Sequence, residues 1–99
     1  MNEFDNKLEE YRNQLLHIDK KIIDLLNQRA LIAKEIGVFK FKNNIEIYQT
    51  DYWQKAQLIR SKTVETTILN DNITTQIFEL IHQQSLLIQE EILKQKNEQ

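Results

Sequence analysis

The chain has 99 residues, 13 basic and 15 acidic, for a net charge of −2. It has no basic block, no cysteine and no apolar run long enough to span a bilayer. Those absences argue against a nucleic-acid footprint, a disulfide framework or thiolate metal site, and a membrane segment.

There is no proline and a single glycine, Gly37, so turn punctuation is nearly absent and a few long helices are favoured over strands. The polar, acidic start MNEFDNKLEE does not read as a secretory signal. We expect a cytoplasmic, all-α chain forming one domain over residues 1–99.

Apolar residues recur at Leu8, Leu15, Ile18, Ile22, Leu25, Ile32 and Ile36, mostly three, four or seven apart. This spacing predicts a long amphipathic helix. It starts between Asn2 and Asp5, with Asp5 as N-cap candidate, and runs past Gly37 to about Lys42. At 1.5 Å per residue its stretch from Leu8 to Lys42 is ~50 Å long. Gly37 costs ~1 kcal/mol relative to alanine inside a helix. Close approach of a neighbouring helix or ligand would account for it. A helix this long cannot be wrapped by the short remainder of the chain, so its apolar face calls for a second copy.

Asn43 and Asn44 suit the turn that follows. Thr50 or Asp51 can cap a shorter second helix, with Ala56, Ile59 and Thr63 on one side. Residues 66–72 form a second connection. The third helix is expected from about Ile73 to Lys94, with Ile73, Ile77, Leu80, Ile81, Ile88 and Ile92 as its apolar positions, followed by a frayed polar tail.

Arg29 and Lys40 are the cations that a plain core helix would not want. They are eleven residues apart, which at ~100° per residue returns them to nearly one face. They share it with Ile18, Ile22, Ala33 and Ile36. Arg12 lies seventeen residues before Arg29 and points elsewhere, but an antiparallel second copy could bring it beside Arg29 and Lys40. Several cations at one site suit a small dianion, because arginine grips carboxylates through two hydrogen bonds. The plainer alternative leaves Arg12 and Lys40 in water and lets Arg29 snorkel.

Ser85 and Gln89, four apart on the third helix, are either a hydrogen-bonding pair beside the apolar stripe or a water-facing pair at its edge. His17 and His82 have no partner at metal-ligand spacing. Tyr52 and Trp53 open the second helix, as such aromatics do in packing.

The ordered set Arg12, Asp19, Leu25, Leu26, Asn27, Arg29, Ala33, Glu35, Ile36, Gly37 and Lys40, then Ile47-Tyr48, then Ser85 and Gln89, resembles the all-helical class of chorismate mutases. The likeness covers about residues 8 to 93. It implies an intertwined homodimer of three-helix chains, one helix very long, one short and one long. It also implies the Claisen rearrangement of chorismate to prephenate, a step of aromatic amino acid biosynthesis that uses no metal and no cofactor.

By the resemblance, Arg29 and the partner copy's Arg12 would clamp the substrate's carboxylates. Lys40 and Gln89 would donate to the breaking ether oxygen, Ser85 would contact the ring end, and Asp19 would be structural. The family usually carries an Asp, then an Arg-Glu pair, where this chain has Gln49, Tyr52 and Trp53. Indole cannot accept the ring hydroxyl's hydrogen bond, and tyrosine supplies no positive charge. Lys42 and Lys55 are the nearest replacement cations. Losing such a contact typically costs ~1.5–3 kcal/mol. The family thus also admits an isochorismate-pyruvate lyase, a mutase for a related chorismate derivative, or a helical dimer that has lost catalysis.

Overall fold

The computed structural model describes residues 2–98. Three helices account for its regular structure: α1 (Glu3–Lys42), α2 (Thr50–Val64) and α3 (Asp71–Asn97). No strand occurs among the described residues.

Helix α1 begins at Asn2, whose side-chain Oδ1 accepts the Asp5 backbone N–H at 2.9 Å. The cap is therefore Asn2 rather than Asp5. Both residue types can satisfy an orphan N–H of a first turn. Asn2 lies three residues ahead of the N–H it serves. The helix runs unbroken through Gly37 and closes at Asn43, whose side-chain amide donates to the Phe39 carbonyl at 2.8 Å. Asn44 then takes a positive φ of 53°, the left-handed conformation that asparagine tolerates.

Helix α2 is preceded by Gln49, which makes no side-chain cap. Its packed face differs from the expected one. Ile59 and Thr63 are exposed, while Trp53, Ala56, Gln57 and Arg60 are half-buried and Val64 is buried. Helix α3 starts on Asn70, whose Oδ1 accepts the Ile73 N–H at 2.9 Å. It runs to Asn97, past the expected end at Lys94. Lys94 to Asn97 contain no helix breaker, and lysine and glutamine are good helix formers. Gln99, the last residue of the tail, lies outside the described residues.

Contacts fix the directions. Arg29 lies over Phe78 and Gly37 lies against Gln89, so α3 runs parallel to the C-terminal half of α1. Trp53 stacks on His82 and Gln57 donates to Thr75, so α2 runs antiparallel to α3. The Cα atoms occupy 62 × 32 × 14 Å. An α-helix with its side chains is ~10–12 Å across. The three helices therefore lie in one layer.

One layer encloses little. Among the described residues the buried apolar side chains are Ala33, Val64 and Ile92, and residues 3–25 of α1 are all exposed. Leu15, Ile18, Ile22 and Leu25 expose between 48% and 60% of their surface. The best-packed place is the α1–α3 crossing, where Ala33, Gly37, Gln89 and Ile92 are buried.

Candidate functional site

Gly37 builds the crossing. A Cβ at this position would stand 3.2 Å from the Gln89 Cα and 3.4 Å from its Cγ. Only a residue without a side chain lets α3 come so close. The approach buries Gln89 to 6% exposure and brings its amide onto Lys40 of α1.

Lys40 Nζ donates to Gln89 Oε1 at 2.9 Å and to the Ile47 carbonyl at 2.8 Å. Both acceptors are neutral. Burial pushes the Lys40 ammonium below its ordinary pKa. An ammonium has three donors, so one remains for a ligand. Gln89 spends its carbonyl on Lys40, which leaves its NH2 group as a second donor. The Ile47 carbonyl is held by the 43–49 connection, which is clipped to α3 where the Tyr48 hydroxyl donates to Glu90.

Beside this pair opens a cavity of about 270 Å³, walled by all three helices. Arg29 and Lys40 reach it from α1, Gln49 precedes it at the start of α2, Tyr52 and Arg60 reach it from α2, and His82, Ser85 and Gln89 from α3. Among the described residues, no aspartate or glutamate lines it. A neighbouring hollow of about 300 Å³ lies on the other side of Lys40 and Gln89, against Phe41, Ile45 and Leu93. Its walls are mainly apolar, with Lys40 and Glu46 as the charged residues among the described ones that line it. The cationic side chains converge in the first cavity.

Of the residues singled out from sequence, Arg29, Lys40, Gln49, Tyr52, Ser85 and Gln89 meet at this cavity. Trp53 does not line it. Its ring stacks on His82, with centroids 4.3 Å apart and planes 26° from parallel. Arg12 is far off along α1, ~26 Å from Arg29 at 1.5 Å per residue. It is exposed there, 3.7 Å from Glu9. Lys42 and Lys55, the nearest possible replacement cations, neither of them placed by the family's motif, are both exposed and outside the cavity.

Two polar lining residues, Arg60 and His82, were not among the site residues expected from sequence. Helical spacing held the signal. Gln49, Tyr52, Ala56 and Arg60 follow one another at three, four and four residues, and His82, Ser85 and Gln89 at three and four, so each set shares a face. Arg60 is held below its ordinary pKa by burial first and then by the charge of Arg29. His82 is held below its own by burial, then by Arg60, Arg29 and Lys40. No group of three His, Cys, Asp or Glu side chains is placed to hold a metal among the described residues.

The arrangement is an all-helical pocket with an ammonium and an amide fixed at its floor and guanidinium groups on its wall, a lining whose charge suits a small anion. Residues 11–90 match the family described as chorismate mutase type II. The chain is 33% identical over 90 residues to a bifunctional chorismate mutase/prephenate dehydratase of Buchnera aphidicola subsp. Schizaphis graminum (strain Sg), covering 89% of this chain and 23% of that protein. It is 30% identical over 94 residues to the protein of the same description from Buchnera aphidicola subsp. Baizongia pistaciae (strain Bp), covering 93% and 25%. An Aquifex aeolicus (strain VF5) protein of that description is 45% identical over 42 residues, or 42% of this chain and 12% of that protein. The chain thus spans about a quarter of the length of the two Buchnera relatives. No solved structure matches it. The chain belongs to the chorismate mutase type II family.

Proposed function

We propose that this chain catalyses the rearrangement of chorismate to prephenate. The observation that carries the reading is the Lys40–Gln89 pair, with its unspent donors beside a cavity that holds only cationic and neutral side chains. In the rearrangement the ether C–O bond breaks as a C–C bond forms within one molecule. No proton or electron is passed to the protein, so no nucleophile or redox group is required. What helps is a compact substrate conformation and donors aimed at the oxygen where charge develops.

Lys40 and Gln89 serve as those donors. Arg29 binds a carboxylate, and Ser85, Gln49 and Tyr52 contact the rest of the substrate. Trp53 supports the site from behind, through His82.

The working unit is a homodimer in this reading. It is supported by the single-layer shape and by the exposed apolar face of α1 at Leu15, Ile18, Ile22 and Leu25. A second copy would bring its Arg12 to the pocket, which the same chain's Arg12 cannot reach.

The test is to follow loss of chorismate by absorbance with the purified chain, without added metal or cofactor. Wild type should turn over, and Lys40→Met should lose about 100- to 1,000-fold in kcat, the usual effect of removing one donor to a developing oxyanion. No turnover above the uncatalysed rate in wild type would overturn the proposal. One observation favours a second reading. The cavity offers no carboxylate to receive a ring hydroxyl. A substrate with that hydroxyl elsewhere, such as isochorismate, would yield salicylate and pyruvate in a parallel assay.

A further inference from the structure

Arg60 has the surroundings of a ligand-binding residue, and no role has yet been given to it. Its guanidinium carbon lies 5.0 Å from the Trp53 ring centroid and 4.6 Å from that of Phe78. Arg29 lies over the same Phe78 ring at 6.0 Å. Two guanidinium groups, one from α2 and one from α1, thus share an aromatic platform at one cavity.

Neither is neutralised. Among the described residues the only ion pairs within 4.0 Å are Lys7–Glu10 and Arg12–Glu9. The protein hydrogen bond of Arg60 is a long one, 3.4 Å to the neutral Gln57 Oε1. Aromatic faces orient a guanidinium while leaving its in-plane N–H donors free. Half-burial and the nearness of Arg29 both act against the Arg60 cation. A bound carboxylate would offset both costs at once, because it attracts each guanidinium and screens one from the other.

We propose that Arg60 binds a carboxylate of the substrate together with Arg29. The proposal rests on reading the cavity as the substrate site. The competing role is structural, with the Arg60 stem packing between α2 and α3 and its head stacked on Trp53. Arg60→Met keeps an unbranched apolar stem and removes the charge. Arg60→Lys keeps the charge and removes the fork.

The experiment titrates the full chain with a bicyclic ether dicarboxylic acid shaped like the rearrangement transition state, by calorimetry, and runs chorismate kinetics on the same preparations. Arg60→Met should raise the Kd of this probe about 10- to 100-fold, as expected when a charge-assisted contact is lost. Arg60→Lys should recover part of that loss, and the unliganded melting temperature of Arg60→Met should not fall. Probe binding by Arg60→Met within twofold of wild type would overturn the assignment. If wild type binds the probe but leaves chorismate unchanged, the proposed reaction falls and the Kd ratio still decides the role of Arg60. If wild type does not bind the probe, both fall.

Discussion

Replacing Gly37 by alanine should separate stability from activity. The added methyl would stand 3.2 Å from the Gln89 Cα, 3.4 Å from its Cγ and 3.5 Å from its Cβ. Carbon atoms rest ~3.5–4.0 Å apart. The nearest atom belongs to backbone, so α3 must retreat, by ~0.3 Å on the same scale. Alanine gains ~1 kcal/mol over glycine in a helix interior, and overpacking costs ~1–3 kcal/mol. The net change in unfolding free energy should lie between nothing and a loss of ~2 kcal/mol. Catalysis should respond more sharply. The Lys40–Gln89 bond, at 2.9 Å, would stretch toward the end of the usual range for N–H···O, ~3.2 Å. A 1 Å misplacement of a catalytic group costs ~100-fold. A shift of ~0.3 Å should then lower kcat about three- to fivefold. Urea unfolding and chorismate kinetics on the same preparation make the comparison. A variant that is more stable than wild type and keeps full kcat would refute the reasoning, because it would mean that the crossing does not position Gln89.

Two further predictions follow from the site. Mixing Arg12→Ala chains with Lys40→Ala chains, each inactive alone, should restore about a quarter of wild-type activity, since half the dimers are mixed and each carries one intact site of two. Mixtures that stay inactive although the chains exchange would refute the shared pocket. His82 supplies the second. It takes up a proton more readily unfolded, near its ordinary value of 6.5, than folded, because burial, Arg60, Arg29 and Lys40 hold its folded pKa lower. Between those two values the unfolded state binds more protons, so stability should fall as pH drops from about 6.5 through the folded pKa and then level off. The fall should be smaller in His82→Phe, which can keep the stack on Trp53. Equal pH profiles of the denaturation midpoint for the two proteins would refute it.

The elements were readable because local rules agreed with packing. The long helix shows in the spacing from Leu8 to Ile36, and Asn43 and Asn44 mark its end because few residues tolerate the conformation that Asn44 adopts. The single glycine pointed to a close approach, and Gln89 of α3 makes it. The face of α2 was misjudged because Ile59 is apolar yet exposed, while Gln57 and Arg60 are polar yet half-buried. A helix in one layer packs along a narrow line, and its polar residues can occupy that line when they serve a cavity. Arg60 was missed for a related reason. Position along the chain locates Cα, whereas an arginine head can meet Arg29 from two turns beyond Tyr52. Lys42 and Lys55, nearer in sequence, are exposed and do not line the cavity.

The distribution of burial says where this fold keeps its order. Among the described residues three apolar side chains are buried, and the polar Gln89 is as enclosed as they are. The α1–α3 crossing that would ordinarily serve as core is therefore the floor of the proposed site, and its contacts hold Lys40 and Gln89 in register. The apolar surface that should stabilise a chain of this size lies instead on the exposed half of α1. In the proposed dimer this surface is covered by the second copy, and the same contact delivers Arg12. Folding stability and completion of the pocket would then share one interface. Both should depend on chain concentration in the same way, with the denaturation midpoint and the specific activity falling together on dilution.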